Sequence, residues 1–128
     1  MGYVSHKSEE SVEDYLETIY ILSKRLPAVR SIDVATELNY SKPSVSVAMK
    51  NLRSKEYVTV SPEGYISLTE EGLALAASTY DRHTVLCNWL LSLGVDPETA
   101  SEDACRMEHD ISAESFSAIK KYISEHPV

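Results

Sequence analysis

Long apolar runs are missing from this 128-residue chain. Its richest apolar stretch, residues 85–95, is broken by Asn88 and Ser92 and falls far short of the about 20 apolar residues that a membrane-spanning helix needs. Residues 1–7 are short and polar, unlike a secretory signal. The expectation is a cytoplasmic protein with no membrane partner. Cysteine is nearly absent as well. Cys87 and Cys105 are the two present, too few for a disulfide scaffold and not arranged as a CxxC pair. Each is therefore expected as a reduced thiol, serving as a small buried group or a metal ligand. Internal repeats, low-complexity tracts and flexible linkers are also lacking. What remains is a hydrophobic fraction of 43% and a charged fraction of 25%, ordinary for a globular chain about one domain long.

Basic residues are scarce overall, 12 against 20 acidic, for a net charge of −8. That balance argues against a nucleic-acid partner until the charges are placed along the chain. Between residues 24 and 55 stand Lys24, Arg25, Arg30, Lys42, Lys50, Arg53 and Lys55, opposed only by Asp33 and Glu37. Such a local excess of positive charge is a candidate surface for phosphates. The acidic remainder is a source of carboxylate ligands.

Periodicity predicts a mainly helical chain. Ser8 or Ser11 is expected to cap a first helix reaching Arg25, with acidic Glu9 and Glu10 in its first turn and an apolar stripe of Val12, Tyr15, Leu16, Ile19, Tyr20 and Leu22. Ser31 is expected to cap a short helix, residues 32–38, that turns Ile32, Ala35 and Leu38 inward. After the Asn39-Tyr40 turn, Ser41 caps a third helix with Pro43 in its first turn and a buried face of Val45, Ala48, Met49 and Leu52. Residues 57–60 and 65–68 alternate and flank Ser61-Pro62-Glu63-Gly64, a hairpin signal. Thr69 opens a long helix that Gly94 ends, Pro97 opens a fifth, and Ser112 caps a sixth that stops before Pro127. The expected fold is mainly α: an N-terminal winged helix-turn-helix of three helices plus a β-hairpin wing, then a helical segment. The expected domains are 1–70 and 71–128.

In a winged helix the third helix enters the major groove and the hairpin lies along the backbone. The outward face expected for that helix carries Ser41, Lys42, Ser44, Ser46, Val47 and Lys50, small hydroxyls and lysines suited to phosphate and base-edge contact in double-stranded DNA. The wing tip carries an acid, Glu63, which weakens its case as a phosphate contact. A tri-helical unit with a hairpin can also be a purely structural or protein-binding module, and the clustering of basic residues on this unit favours DNA.

A second constellation is rich in metal donors. Asp14 and Glu17, three apart, share a face of the first helix. Cys105, Glu108 and His109 stand at i, i+3 and i+4, presenting a thiol, a carboxylate and an imidazole on one side. His83 lies four residues before Cys87 in the long helix. Oxygen, nitrogen and sulfur drawn from several elements suit a divalent transition metal. Taken singly, Asp14 and Glu17 read as a solvated face, Cys105 as a buried small group and His83 as an ordinary histidine.

Three segments together carry a resemblance: Val12-Glu13-Asp14-Tyr15-Leu16-Glu17-Thr18-Ile19-Tyr20, Asp81-Arg82-His83 and Asp103-Ala104-Cys105-Arg106-Met107-Glu108-His109. In that order and spacing the chain resembles the diphtheria-toxin-repressor/manganese-transport-regulator family of metal-dependent repressors, from about Ser11 to Ile123. The resemblance implies a homodimer that takes Mn²⁺ or Fe²⁺ as corepressor and blocks promoters of metal-uptake genes; it implies no enzyme. It matches Asp14, Cys105, Glu108 and His109 to ligands of a first site, and Glu17 and His83 to a neighbouring second site that Glu108 also serves. The chain departs from both branches. Iron-responsive members have methionine where Asp14 stands, and manganese-responsive members have glutamate where Cys105 stands. Cys87 replaces a glutamate ligand common in the family, and Ser101 a histidine of some iron regulators, so a weaker, altered or absent second site is expected. The SH3-like C-terminal domain of longer members is expected to be absent. Two other classes fit the residues: a winged-helix regulator indifferent to metal that answers to a small ligand or partner protein, and a metallohydrolase, disfavoured for want of a substrate-orienting loop.

Overall fold

The computed structural model describes residues 2–126, with side chains from residue 12 onward. Six helices and one hairpin follow in the order α1 (Gly2–Arg25), α2 (Ser31–Leu38), α3 (Lys42–Ser54), β1 (Val58–Val60), β2 (Ile66–Leu68), α4 (Glu70–Ser92), α5 (Pro97–Asp110) and α6 (Ala113–Glu125). They form two compact units, Met1–Ala77 and Ser78–Val128, with α4 contributing to each.

Unit 1 is a winged helix-turn-helix. Leu16 and Ile19 of α1, Val34 of α2, Val45 and Leu52 of α3, and Val29 before α2 are buried to 1% exposure or less. Ser41 caps α3 through its hydroxyl, which accepts the Ser44 N–H at 3.3 Å, satisfying one donor that a helix start leaves open. Strands β1 and β2 pair antiparallel, with Val58 opposite Leu68 and Val60 opposite Ile66. The turn closes through the Gly64 N–H to the Ser61 carbonyl at 2.9 Å, with Gly64 at φ +89°, where a Cβ would be strained. The hairpin is tied to the helices by one further bridge, the Ile66 N–H donating to the Val29 carbonyl at 2.8 Å.

Unit 2 packs Leu86 of α4, Ala104 of α5 and Phe116 of α6 into a small core, with Val85, Cys87, Trp89, Met107, Ile111 and Ile119 against it. Ala100 and Ala104 are fully buried on α5. Gly94, at φ +92°, ends α4: the Gly94 and Val95 N–H groups reach back to the Leu91 and Leu90 carbonyls at 3.0 and 3.1 Å, a Schellman closure of the last turn. Asp96 caps α5 ahead of Pro97, and Ser112 caps α6.

The structure corrects the expected helix starts. The first helix begins at Gly2, not after Ser8 or Ser11, because nothing between Tyr3 and Ser11 breaks it. The side chains of Ser8, Glu9, Glu10 and Ser11 lie outside the described residues, as does Pro127. Arg30, not Ser31, is the N-cap of α2, and the Asp33 carboxylate accepts the Arg30 N–H at 2.9 Å. With that start Val34 and Ala35 face inward, while Ile32 is 46% exposed.

Candidate metal centre and nucleic-acid interface

Unit 1 presents α3 outward. Opposite its buried Val45, Met49 and Leu52 stand Pro43, Ser46, Val47 and Lys50, all exposed, with Ser41, Lys42 and Ser44 at the helix start also exposed. The Ser41 and Ser44 hydroxyls are 2.9 Å apart, so the cap also arranges the polar end of this face. A groove of about 310 Å³ runs beside it, lined by Ser31, Ser46, Val47, Met49, Lys50, Arg53 and Val60. On one flank Arg30 covers the Tyr65 ring at 4.6 Å, a cation–π contact that steadies a basic side chain near the wing. Arg25, by contrast, is held by Glu37 at 3.1 Å in an exposed pair. Asp14 and Glu17 sit half-buried on α1.

Unit 2 brings Cys105, Glu108 and His109 together. A ligand atom from each lies within 4.8 Å of the others. Helical spacing alone does this, since i, i+3 and i+4 share a face. Glu108 is fully buried, and its Oε1 lies 3.5 Å from His109 Nε2. His83 joins them from α4, its Nδ1 3.0 Å from Glu108 Oε2. Arg82, beside it, donates to the Glu108 backbone carbonyl at 3.1 Å, a contact that the sequence reading missed. The signal for it was present in the adjacency of Arg82 and His83, but the pairing of a side chain with a distant carbonyl has no sequence period. Arg82 also covers the Phe116 ring at 5.9 Å, and Asp81 pairs with Lys120 at 2.8 Å, fixing α4 against α6.

A carboxylate with no exposure loses its hydration, at a cost of several kcal/mol unless opposite charge or strong donors replace the water. Two imidazoles and a thiol around Glu108 form a donor set of mixed hardness that fits a transition-metal dication. Cys87 faces a different environment: it packs with the apolar core of unit 2. Ser101 is exposed on α5. Phe116 packs inside unit 2, whereas Leu93 and Tyr122 remain 64% and 58% exposed.

Comparison with known proteins also finds two parts, meeting between residues 65 and 69. Residues 7–65 match the iron dependent repressor N-terminal DNA binding domain, and residues 69–127 the iron dependent repressor metal binding and dimerisation domain. Joined in that order, the two define a metal-dependent, DNA-binding transcriptional repressor. The transcriptional regulator MntR of Escherichia coli O6:H1 is 36% identical over 117 residues, covering 91% of this chain and 76% of that protein. An uncharacterized HTH-type transcriptional regulator of Methanocaldococcus jannaschii is 35% identical over 118 residues, covering 91% and 94%. Among solved structures, the manganese regulator SloR superposes with a TM-score of 0.80 at 29% identity, covering 91% of this chain and 55% of that one. The metal-dependent transcriptional regulator MtsR gives 0.83 at 26% identity, covering 88% and 53%; the chain thus spans about half the length of these solved structures. The chain belongs to the diphtheria-toxin-repressor/manganese-transport-regulator family.

Proposed function

We propose that this chain is a manganese- or iron(II)-responsive repressor that binds operators of metal-uptake genes as a homodimer, in the cytoplasm with the DNA it controls. The observation that carries the reading is the convergence of Cys105, Glu108 and His109 on one face of α5, around a buried Glu108, in a chain whose other unit is a winged helix. Cys105, Glu108 and His109, with Asp14 from α1, hold the first ion; Glu17 and His83, with Glu108, serve a neighbouring second position. SloR, described as a manganese regulator, supports Mn²⁺, and the iron dependent repressor models support Fe²⁺ as the other option. No catalytic role is assigned to any of these residues.

When bound, a divalent cation supplies the charge that offsets clustered carboxylates and thiolate, and its affinity requires those ligands deprotonated. The chain's own residues do the rest. Arg82 and His83 hold Glu108 from its backbone and its carboxylate, so that donor is set before any ligand arrives. Asp14 belongs to the DNA-binding portion, residues 1–70, and the α5 donors to residues 71–128. Shared ligation of one ion by both portions would bias the spacing of paired α3 helices toward successive major grooves, about 34 Å apart. Lys42 and Lys50 then meet phosphates while Ser41, Ser44 and Ser46 reach phosphates or base edges. Dimerisation uses the apolar surface of α4 and α6 around Trp89, Leu90, Leu93, Ile119 and Tyr122. A groove of about 500 Å³ lined by Val85, Trp89, Leu93, Tyr122 and Ile123 among others supports that assignment.

The test is operator binding by the full chain across a series of divalent metals under anaerobic conditions. Mn²⁺ and Fe²⁺ are expected to raise affinity at concentrations where Mg²⁺ does not. Equal affinity with chelator and with every metal would sink the reading.

A further inference from the structure

Val47 is the most exposed large hydrophobic side chain among the described residues, at 70%, and it stands at the centre of the outward face of α3. Nothing in the fold retains it there. It contributes nothing to the buried face of Val45, Met49 and Leu52. A β-branched residue is also a poorer helix former than the alanine, lysine or glutamine an exposed helix position tolerates. Pro43, one turn earlier, is exposed on the same face, so the two make a short apolar strip. The surroundings are polar and cationic: Ser46 and Lys50 are its exposed neighbours, and the groove alongside is lined by Lys50, Arg53 and Ser31. Charge of that sign around an apolar spot suits a partner that is anionic at its edges and apolar at one point. In the major groove that point is the C5-methyl group of thymine, flanked by phosphates on both sides.

We propose that Val47 reads a thymine methyl in each operator half-site, making it a specificity-determining residue of α3. The inference rests on the DNA-binding reading above. A valine has no hydrogen-bonding atom in its side chain, so its contribution is burial of apolar surface, at about 0.8 kcal/mol per methylene-sized group, or roughly a fourfold affinity change. It discriminates thymine from uracil, which hydrogen-bond alike and differ only in the methyl.

The experiment selects operator duplexes from a random pool with the Mn²⁺-loaded full chain. It then replaces each thymine of the selected duplex with uracil in turn and measures binding by wild type and Val47→Ala. Wild type should lose about three- to tenfold at one thymine per half-site. Val47→Ala should bind the thymine duplex more weakly and no longer distinguish it from the uracil duplex at that position. Thermal melting checks that the variant is folded. If the selected operator shows no uracil-sensitive thymine, or if Val47→Ala keeps the wild-type sensitivity, the Val47 assignment is wrong while DNA reading stands. If selection enriches no sequence at all, both fall together.

Discussion

Tyr15 shows how a single residue ties the first helix to the helix-turn-helix. Its ring meets Tyr40 edge-on at 6.0 Å between centroids, and it is 6% exposed. Burial, and secondarily the neighbouring Tyr40 phenol, raises its pKa above the ordinary value of 10.0. A phenol whose folded pKa is raised favours the folded state while it stays protonated. That stability is complete below about pH 10, where the unfolded chain also keeps its proton. It is lost as pH rises through the folded pKa, because the unfolded state ionises first. The alkaline limb of a stability profile should therefore be shallower in Tyr15→Phe than in wild type, measured by urea unfolding between pH 8 and pH 11; superimposable limbs would refute the assignment. Gly72 offers a test of a different kind. A Cβ built there would sit 2.0 Å from the Tyr57 carbonyl oxygen and 2.9 Å from its carbon, both backbone atoms. The same turn is pinned by Thr69, whose hydroxyl donates toward the Glu56 carbonyl at 2.7 Å and accepts the Gly72 N–H at 3.1 Å. Gly72→Ala must push the start of α4 away from the segment before β1. By the usual cost of overpacking it should lose about 1–3 kcal/mol, read as a lowered urea midpoint, although alanine is the better helix former.

At the scale of elements, α3 is the part whose role is most directly testable. Lys42 and Lys50 are exposed, and Lys50 lines the groove that also carries Arg53. Lys42→Ala or Lys50→Ala should weaken operator binding and flatten the plot of log affinity against log salt by about 0.9 per lost phosphate contact. Unchanged slopes in both variants would remove α3 from the interface. The wing is expected to contribute less: Glu63 at its tip is exposed and acidic. The elements themselves were largely legible from punctuation. Ser41, Thr69, Gly94, Pro97 and Ser112 each mark a boundary where the structure puts one, because capping chemistry is local and depends on few neighbours. The start of α2 was not legible, since the choice between Arg30 and Ser31 is settled by the Asp33 carboxylate reaching back to Arg30. In a helix of eight residues one position also decides which side chains turn inward, so Val34 displaced Ile32. The α5 trio was legible because three donors on one helix obey its period. The hold of Arg82 and His83 on Glu108 was not, because contacts between helices follow packing, not spacing.

For the whole molecule, the proposed coupling has two consequences that chemistry makes quantitative. Metal and DNA must raise each other's affinity by one common factor, since the cycle of binding steps closes. Glu108→Ala should reduce that factor to about one in both directions, measured as DNA affinity with and without metal and metal affinity with and without operator. A retained factor would place the sensor elsewhere. Which metal drives the proposed coupling turns on two residues of the proposed first site, Asp14 and Cys105. Asp14 offers a hard, anionic oxygen and Cys105 a soft sulfur. Raw affinity climbs from Mn²⁺ toward Cu²⁺ at almost any such donor set, so tight binding of Zn²⁺ or Co²⁺ would not identify the working ion. Activation of DNA binding is the better criterion, because it depends on a metal satisfying the whole coordination that links the two portions of the chain. Carboxylate-rich sites suit manganese, while iron(II) accepts a thiolate more readily. Both ions should activate wild type, with manganese slightly favoured by the oxygen and nitrogen donors Asp14, Glu17, Glu108 and His109. Cys105→Glu should move the ratio of half-activating concentrations toward Mn²⁺, and Asp14→Met toward Fe²⁺. The two shifts have opposite signs, so a general loss of affinity cannot imitate them. If neither substitution moves the ratio, Cys105 is a core thiol, Asp14 is a carboxylate of the helix surface, and the ion is held by Glu108 and His109 without them.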